Sequence, residues 1–470
     1  MAEIIIRGGT VVGPDGRAAT DVTIRDGRII SLGAAAARTG ARVIDASGLL
    51  VMPGGVDSHC HIEQLSGAGL MNADSFASAG ASALIGGTTT TISFAAQHPG
   101  MNLAQVVADY AARAEAGAMA DYAFHMIVSD TSGSTLTEDL PRLLAEGHRS
   151  VKLFTVYDRV RVSDEAILDV MACVRATGGL VCVHAENDGM IRWMTRRLLA
   201  AGRTAPRFHA AAHPREAEIE AVGRICLFAE FTGQPVMLFH ISCAEALAVV
   251  RAARARGAPV RAETCPHYLF QTADILDGPA ETVAGYLCSP PQRDAADQEA
   301  LWHGLATGDL DAVTSDHAPY RLDETGKFAH GRDAPFPKIA NGQPGLGMRL
   351  PLMFDAMVSG GRLGAERFVE LTATAPARLF GLARKGRIAP GMEADIVLWD
   401  PAREVVLGET HDGTGYNPWA GRRVRGWPRM VLRRGEAVVE DGRLTAAPGS
   451  GRRVPMEPSP AMTPVPGALP

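Results

Sequence analysis

Lysine is scarce in this 470-residue chain, because only four of its 46 basic residues are lysine: Lys152, Lys327, Lys338 and Lys385. Arginine therefore supplies most of the positive charge. The formal net charge is −6, so there is no excess of basic residues that would attract nucleic acid or an anionic membrane. The sequence thus argues against a nucleic-acid-binding protein and a membrane-surface protein.

Long apolar runs are also lacking. No run is long enough to span a bilayer, and the chain does not open with the charged-then-apolar pattern of a secretory leader. Its seven cysteines are odd in number and scattered, mostly in short apolar runs, which favours free buried thiols over disulfides. With 46% hydrophobic and 21% charged residues, the chain is predicted to be a globular protein of the reducing cytoplasm.

The most informative motif is Asp-Ser-His-Cys-His at residues 57–61, which follows the apolar run 49–52 and a Pro-Gly-Gly turn. Side chains at positions i and i+2 of a strand point to the same side. His59 and His61 can therefore reach one metal ion at the end of a strand. Cys60 should face the other side and is not counted as a ligand.

One of the rare lysines, Lys152, lies within the run Ser-Val-Lys-Leu-Phe at residues 150–154, where the core of a strand is expected. A buried, unpaired ammonium is costly, so such a lysine loses its proton or finds a partner. One interpretation is a lysine whose ammonium reaches out to solvent at the strand end. The other is a lysine converted by carbon dioxide to an anionic carbamate that bridges two metal ions.

Three more apolar runs end in a potential metal ligand. Residues 179–183 lead into His184, residues 235–239 into His240, and residues 311–315 into Asp316. Short apolar runs bounded by turns are typical of buried strands in a parallel sheet. Each histidine alone would more often be an ordinary core residue. Six such residues at the same end of successive strands instead predict a metal site, formed by His59, His61, Lys152, His184, His240 and Asp316.

The middle of the chain, residues 53–384, alternates apolar runs with helical stretches such as 104–117, 163–177 and 243–256. This alternation predicts a (β/α)8 TIM-type barrel, and the length leaves room for insertions beyond the roughly 250 residues of a typical one. Active sites of such barrels lie at the carboxyl ends of the strands. All six potential ligands fall at that end.

Both ends of the chain are rich in short strands with Gly and Asp-Gly turns. Residues 1–52 and 385–446 are therefore predicted to form one small β-sandwich domain. The tail, residues 447–470, is rich in Pro, Gly and Ser. It is expected to be disordered or to lie on a neighbouring subunit.

Taken together, these motifs resemble those of the D-hydantoinase and dihydropyrimidinase family, the cyclic amidohydrolases of the amidohydrolase superfamily. The resemblance covers nearly the whole chain apart from about the last twenty residues. It is carried in order by the motifs at residues 55–61, 152–158, 184–187, 240–246, 263–269, 288–291, 315–319 and 391–397.

The resemblance implies a site with two divalent metal ions. His59, His61 and Asp316 would hold the more buried ion, and His184 and His240 the more exposed one. Lys152, carboxylated by CO2, would bridge the two. Imidazole and carboxylate ligands suit zinc, with manganese or cobalt as alternatives.

The resemblance also implies a reaction, the opening of a cyclic amide bond in hydantoins and 5,6-dihydropyrimidines to give N-carbamoyl amino acids. Asp316 would act as general base and then general acid, and the phenol of Tyr157 would stabilise the oxyanion. The main chain at Ser289 and Asn341 would grip the –CO–NH–CO– edge of the ring. Family members are commonly homodimers or homotetramers.

The ring substituent is expected to meet a hydrophobic wall that accepts hydrogen, alkyl or aryl groups and disfavours a carboxylate. The loops after the first strands and after the bridging lysine offer apolar side chains for it, and these could equally be plain barrel packing. They are Leu65, Leu70, Phe94, Phe154, Val156 and Val160.

Related functions were weighed against this hydantoinase interpretation. A dihydroorotase-like enzyme would place an arginine just after the His-x-His motif, whereas this chain has Ile-Glu-Gln at residues 62–64. Allantoinases share the motif at 263–269 but usually lack a tyrosine matching Tyr157. Non-catalytic scaffold relatives have lost the metal ligands that this chain retains. Two departures, Gly347 in place of glutamate and Ala340 in place of proline, lie close in sequence to the substrate-gripping segment.

Overall fold

The computed structural model describes residues 3–34, 39–67 and 69–468. Seven short strands precede the barrel. They are β1 (Ile4–Arg7), β2 (Thr10–Gly13), β3 (Gly16–Ala19), β4 (Val22–Arg25), β5 (Arg28–Leu32), β6 (Arg42–Asp45) and β7 (Leu50–Pro53).

The central region contains eight strands that form one parallel sheet in sequential order. They are β8 (Gly55–Asp57), β9 (Thr88–Ala96), β10 (Asp121–Ile127), β11 (Ser150–Phe154), β12 (Leu180–His184), β13 (Val236–Leu238), β14 (Val260–Thr264) and β15 (Ala312–Val313). All nine residues of β9 are buried, as expected for a parallel sheet covered on both faces. The edges β8 and β15 meet through a bridge between Cys60 and His317, so the sheet curls into a TIM-type barrel.

Helices connect and cover the barrel strands. They are α1 (Phe76–Ile85), α2 (Leu103–Gly117), α3 (Leu140–Ala145), α4 (Asp164–Thr177), α5 (Asp188–Ala200), α6 (Phe208–Ala212), α7 (Arg215–Thr232), α8 (Ala244–Ala255), α9 (Pro266–Phe270), α10 (Ala280–Val283), α11 (Ala295–Thr307), α12 (Arg349–Phe354), α13 (Ala365–Val369) and α14 (Ala375–Leu379). Short 3-10 turns lie at Ala273–Leu276, Ala284–Tyr286, Phe336–Lys338 and Pro460–Met462, and π turns at Thr135–Asp139, Asp355–Ser359 and Glu370–Thr374.

The start of several barrel helices is encoded locally by a capping side chain. Asn102 accepts a hydrogen bond from the main chain of α2, Ser163 from α4 and Asn187 from α5. Asp294 forms a full capping box with Asp297 at the start of α11. Such caps satisfy main-chain donors that have no partner within the helix.

Four strands follow the barrel: β16 (Ile396–Val406), β17 (Arg423–Arg433), β18 (Glu436–Glu440) and β19 (Arg443–Leu444). They join β7, β2 and β3 in a seven-stranded sheet, in which β16 pairs antiparallel with β7. The remaining strands form a four-stranded sheet in the order β5-β4-β1-β6. Ile6, Ile24, Val51, Ile396 and Leu432 share one apolar core between these two sheets.

The tail corrects one expectation. Its described part runs along the barrel of its own chain, with Val454 donating to the carbonyl of Tyr122 in β10. Further on, Val465 donates to the carbonyl of Gly233 beyond α7. Met456 and Met462 are buried in the core of the same chain. The Pro- and Gly-rich composition hid these apolar anchors, so the expectation of a disordered tail or one draped on a neighbour was wrong.

All seven cysteines carry free thiols, and six of them are buried. Among the described residues, none of the helices has both the length and the apolar character needed to cross a bilayer.

Candidate active site

Five of the six potential ligands lie at or just beyond the end of a barrel strand, Lys152 lies in the middle of one, and all six converge on one cavity. His59 and His61 follow β8, Lys152 lies within β11, and His184 closes β12. His240 follows β13 and Asp316 follows β15. All six line the same cavity of about 450 Å³.

The distances within this group are short. Asp316 Oδ1 lies 3.1 Å from His59 Nε2 and 3.5 Å from His61 Nε2. His59, His240 and Asp316 each offer a ligand atom, and these three atoms lie within 4.8 Å of one another. The rings of His184 and His240 are 4.4 Å apart, and the ring of His240 is 5.4 Å from that of His59, so the second pair of histidines adjoins the first.

Lys152 lies beneath the histidines and is only 1% exposed. Its Nζ is 4.1 Å from the ring centre of Phe239, 4.9 Å from that of Phe154 and 5.7 Å from that of Phe94. In the described part of the chain, no carboxylate forms an ion pair with it. Burial lowers the pKa of Lys152 to about 7, so its amine is substantially unprotonated near neutral pH.

The protonation states suit metal coordination. Burial lowers the pKa of His59 to about 3 and that of His240 well below its usual range, which leaves both imidazoles neutral. Burial alone would raise the pKa of Asp316, but the charge and hydrogen bonds of the neighbouring histidines hold it well below its ordinary value. Neutral imidazoles and an ionised carboxylate are the forms in which these side chains bind divalent metals.

Three acceptor side chains orient the histidines from behind, and no role was predicted for them from the sequence. Glu263 Oε1 lies 2.6 Å from His59 Nδ1, and Glu186 Oε2 lies 2.8 Å from His184 Nε2. Gln64 Oε1 lies 2.6 Å from Nδ1 of His61. A partner on one ring nitrogen fixes which nitrogen can face a metal. The signal was available, since Glu263 is the last residue but one of β14, and Glu186 and Gln64 closely follow a potential ligand.

Three residues of the site hold a left-handed backbone without being glycine. The φ angle is +74° at Tyr157, +45° at His240 and +43° at Asp316. Such conformations cost on the order of 1–3 kcal/mol each and concentrate at functional sites. The strain is located where the strands end and the chain turns to aim these side chains into the cavity.

The substrate-binding residues predicted from sequence are only partly brought together. Tyr157, Ser289, Asn341 and Phe154 line the cavity with the ligands. Burial raises the pKa of the Tyr157 phenol, and the neighbouring Ser289 hydroxyl partly opposes that rise. Leu65 is not among the described lining residues, and its carbonyl lies 3.0 Å from His98 Nε2.

Of the other residues in the predicted hydrophobic wall, two line the cavity and two lie elsewhere. Leu70 and Val160 line the cavity. Phe94 lies below the ligands, with its ring stacked 4.4 Å from that of His61, and Val156 packs into a small core with Ile191. Sequence reasoning missed a polar and basic part of the lining, which includes Asn72, Arg159, Tyr320, His330 and Lys338.

The two departures from the family pattern lie in different places. Ala340 lines the cavity next to Asn341. Gly347 is not part of the described lining and lies against α1, where an added Cβ would be 2.4 Å from Ser82 Oγ. A larger residue at position 347 would therefore meet α1 rather than the cavity.

Comparison with known proteins agrees with this geometry. The model of the amidohydrolase family matches residues 50–438 of the chain. The match covers most of the chain, so the protein belongs to the amidohydrolase family.

Proteins similar to this chain over nearly its full length indicate which amidohydrolases it belongs with. A D-hydantoinase of Streptomyces coelicolor is 42% identical over 460 residues, covering 96% of this chain and 97% of the relative. A D-phenylhydantoinase of Escherichia coli O81 is 36% identical over 455 residues, covering 96% and 97%. The crystal structure of a dihydropyrimidinase from Brevibacillus agri aligns with a TM-score of 0.94 at 35% identity, covering 97% of this chain and 99% of the other. Within the amidohydrolases, the chain belongs to the D-hydantoinase/dihydropyrimidinase family.

Proposed function

We propose that this protein is a metal-dependent cyclic amidohydrolase that opens the ring amide of hydantoins and 5,6-dihydropyrimidines to give N-carbamoyl amino acids. The observation that carries the proposal is the convergence of five ligand side chains and a buried, unpaired lysine on one cavity. Relatives named D-hydantoinase and D-phenylhydantoinase support the substrate class.

The donor set fits two divalent cations, most simply zinc, with manganese or cobalt as alternatives. His59, His61 and Asp316 would hold one ion, and His184 and His240 the other. When bound, two such ions polarise the scissile carbonyl and make water a nucleophile near neutral pH.

Lys152 would bridge the two ions as a carbamate. Its unprotonated amine adds to the carbon of CO2 and releases one proton, which converts a neutral side chain into a monoanion with two oxygen donors. The aromatic rings around Nζ provide no anion of their own, so the carbamate and the ions would neutralise each other. The unpaired state of the amine and its pKa of about 7 support this assignment.

Two residues of this chain would handle protons and charge during ring opening. Asp316 takes a proton from the attacking water and returns it to the leaving ring nitrogen, so that it acts as base and then as acid. The phenol of Tyr157, which burial holds in its protonated form by raising the pKa, donates to the carbonyl oxygen as negative charge develops on it. The main chain at Ser289 and Asn341 would hold the imide edge of the ring.

The first test is turnover of dihydrouracil and D-5-phenylhydantoin by enzyme loaded with zinc, manganese or cobalt, and again after chelation. Metal-dependent ring opening of either compound is expected, and the ratio of the two rates indicates the preferred ring. An enzyme with two bound ions that opens neither ring would contradict the proposal.

The base assignment is tested by Asp316→Asn. We expect kcat to fall by about 10²–10⁴-fold, because the amide cannot accept the proton of the attacking water. Metal content, measured by elemental analysis, should remain close to that of the unaltered enzyme. Activity within a few-fold of the original, at equal metal content, would refute the role of Asp316.

We also propose a cytoplasmic homodimer or homotetramer. Large apolar side chains on the outer helices support an association surface, since Trp193 is 51% exposed and Leu227 and Phe231 are 58% and 51% exposed. Light scattering after gel filtration gives the molar mass directly, and a monomer at micromolar concentration would contradict the assembly.

A further inference from the structure

A second buried lysine, Lys327, lies in the loop after β15 and is fully enclosed. Its Nζ donates to three main-chain carbonyls: those of Leu287 at 3.3 Å, Ala340 at 2.7 Å and Gly342 at 2.5 Å. Burial lowers the pKa of Lys327 to about 7, but three converging carbonyl acceptors favour the ammonium form, whose three N–H donors can serve all of them. Within the described residues, no carboxylate pairs with this lysine.

The three carbonyls belong to the two segments that carry the proposed ring-gripping residues. Leu287 lies two residues before Ser289, and Ala340 and Gly342 flank Asn341, with both gripping residues on the cavity wall. The amide of Gly342 also donates to the carbonyl of Leu287 at 2.8 Å. Lys327 therefore joins the two segments at one point.

These contacts fix both peptide units of Asn341. The carbonyl of Ala340 and the N–H of Asn341 belong to one planar trans unit, so binding that carbonyl to Lys327 directs the N–H away from the lysine. The carbonyl of Asn341 and the N–H of Gly342 form the next unit, and the bond to Leu287 directs that carbonyl away as well. Among the described residues, neither main-chain group of Asn341 has a hydrogen-bond partner.

We propose that Lys327 is a positioning residue that holds the main-chain N–H and C=O of Asn341 ready for the amide edge of the substrate ring. The inference rests on the proposed function, and it adds the residue that orients the gripping segment. It also explains a lysine in a chain that otherwise uses arginine. A compact ammonium can point at three converging carbonyls, whereas the planar fork of arginine suits carboxylates and phosphates.

The test compares Lys327→Met with Lys385→Met, a matched removal of a buried ammonium at the opposite end of the barrel. Both variants are first checked for two bound metal ions per chain and assayed well below their melting temperatures. We expect Lys327→Met to raise KM for dihydrouracil by about tenfold or more, because small displacements of a gripping group are costly. KM of Lys385→Met should stay within twofold of the original.

Hydrogen exchange gives a readout that does not depend on turnover. In Lys327→Met, the hydrogen-bonded amides of Leu287 and Gly342 should exchange faster, while those of β11 and β12 keep their protection. An unchanged KM overturns the proposal whatever the exchange shows, and so does an equal rise of KM in Lys385→Met. If Lys327→Met does not fold, Lys327→Gln, which keeps a neutral donor, is measured against the same criteria. Failure of the original enzyme to open any ring would instead contradict the proposed function. The exchange comparison would still test the contacts of Lys327, because it does not depend on turnover.

Discussion

The two ends of the barrel each bury a lysine, and the two lysines have opposite surroundings. At the carboxyl end, Lys152 is enclosed by aromatic rings and has no anionic partner within ion-pair distance among the described residues. At the amino end, Lys385 Nζ lies 2.6 Å from Asp121, 2.7 Å from Glu393 and 2.5 Å from Asp395.

The difference indicates two roles. A buried ammonium matched by carboxylates is a structural cross-link, and here it joins β10 to the start of β16. The tail adds to this cross-link, because the amide of Arg452 donates to Asp121. Lys152 has neither a carboxylate nor a carbonyl partner for Nζ among the described residues, so nothing in its surroundings offsets the cost of burying an ammonium. Its place among potential metal ligands points to a chemical role, which is the basis for the proposed carbamate.

The largest expected effect comes from Lys152→Ala. Loss of the bridging carbamate should lower kcat/KM for dihydrouracil by about 10³-fold or more, because the charge that holds both ions together is removed. Kinetics and metal content are measured on the same sample. A short carboxylate such as propionate should restore part of the activity by occupying the vacated space. Activity above about a tenth of the original, without added carboxylate, would contradict a chemical role for Lys152 that Lys385 lacks.

Lys385→Met should lower stability and leave activity unchanged, the opposite of the effect expected for Lys152→Ala. Breaking a buried ion pair by removing one partner costs about 3–5 kcal/mol, because Asp395 stays buried without its cation and Asp121 keeps only its pair with Arg434. Denaturant unfolding of the metal-loaded protein measures this loss in the free energy of unfolding. Turnover and metal content below the unfolding transition should be unchanged. A variant of unaltered stability, or one that loses its metal, would show that the amino end is not a separate structural region.

Glu263→Gln should have the smallest effect of the three, confined to metal binding. The carboxylate behind His59 orients the imidazole, and loss of such a partner typically weakens metal affinity by about 10–100-fold. Competition with a chromophoric chelator measures the affinity. Asp395→Asn is the control, because it removes a buried carboxylate at the opposite end and should lower stability without changing metal affinity. Equal affinities in both variants and the original protein would contradict the orienting role.

Much of the architecture could be predicted from the sequence because it is encoded locally. The predicted helices 104–117, 163–177 and 243–256 correspond to α2, α4 and α8 within one residue at each end. The TIM-type barrel and the two groups of terminal strands follow from the same periodicity. The convergence of the six potential ligands on one cavity could be predicted because parallel strands bring their carboxyl ends to one rim.

What could not be predicted depends on contacts between distant parts of the chain. Glu263 lies 204 residues from the histidine it orients, and Lys327 meets carbonyls whose positions no side-chain pattern reveals. The tail was misjudged because its composition is that of a disordered segment, whereas two buried methionines decide where it lies. Leu65 was predicted to line the cavity because it is close in sequence to a ligand motif, but sequence proximity alone does not place a side chain in the cavity wall.

Carboxylation of Lys152 is measured directly by ¹³C NMR of enzyme equilibrated with ¹³C-labelled bicarbonate, together with metal analysis. We expect one slowly exchanging labelled carbamate per chain with two bound metal ions, absent from Lys152→Ala and present in Lys385→Met. A fully active enzyme with two ions and no labelled carbon at Lys152 would contradict this expectation.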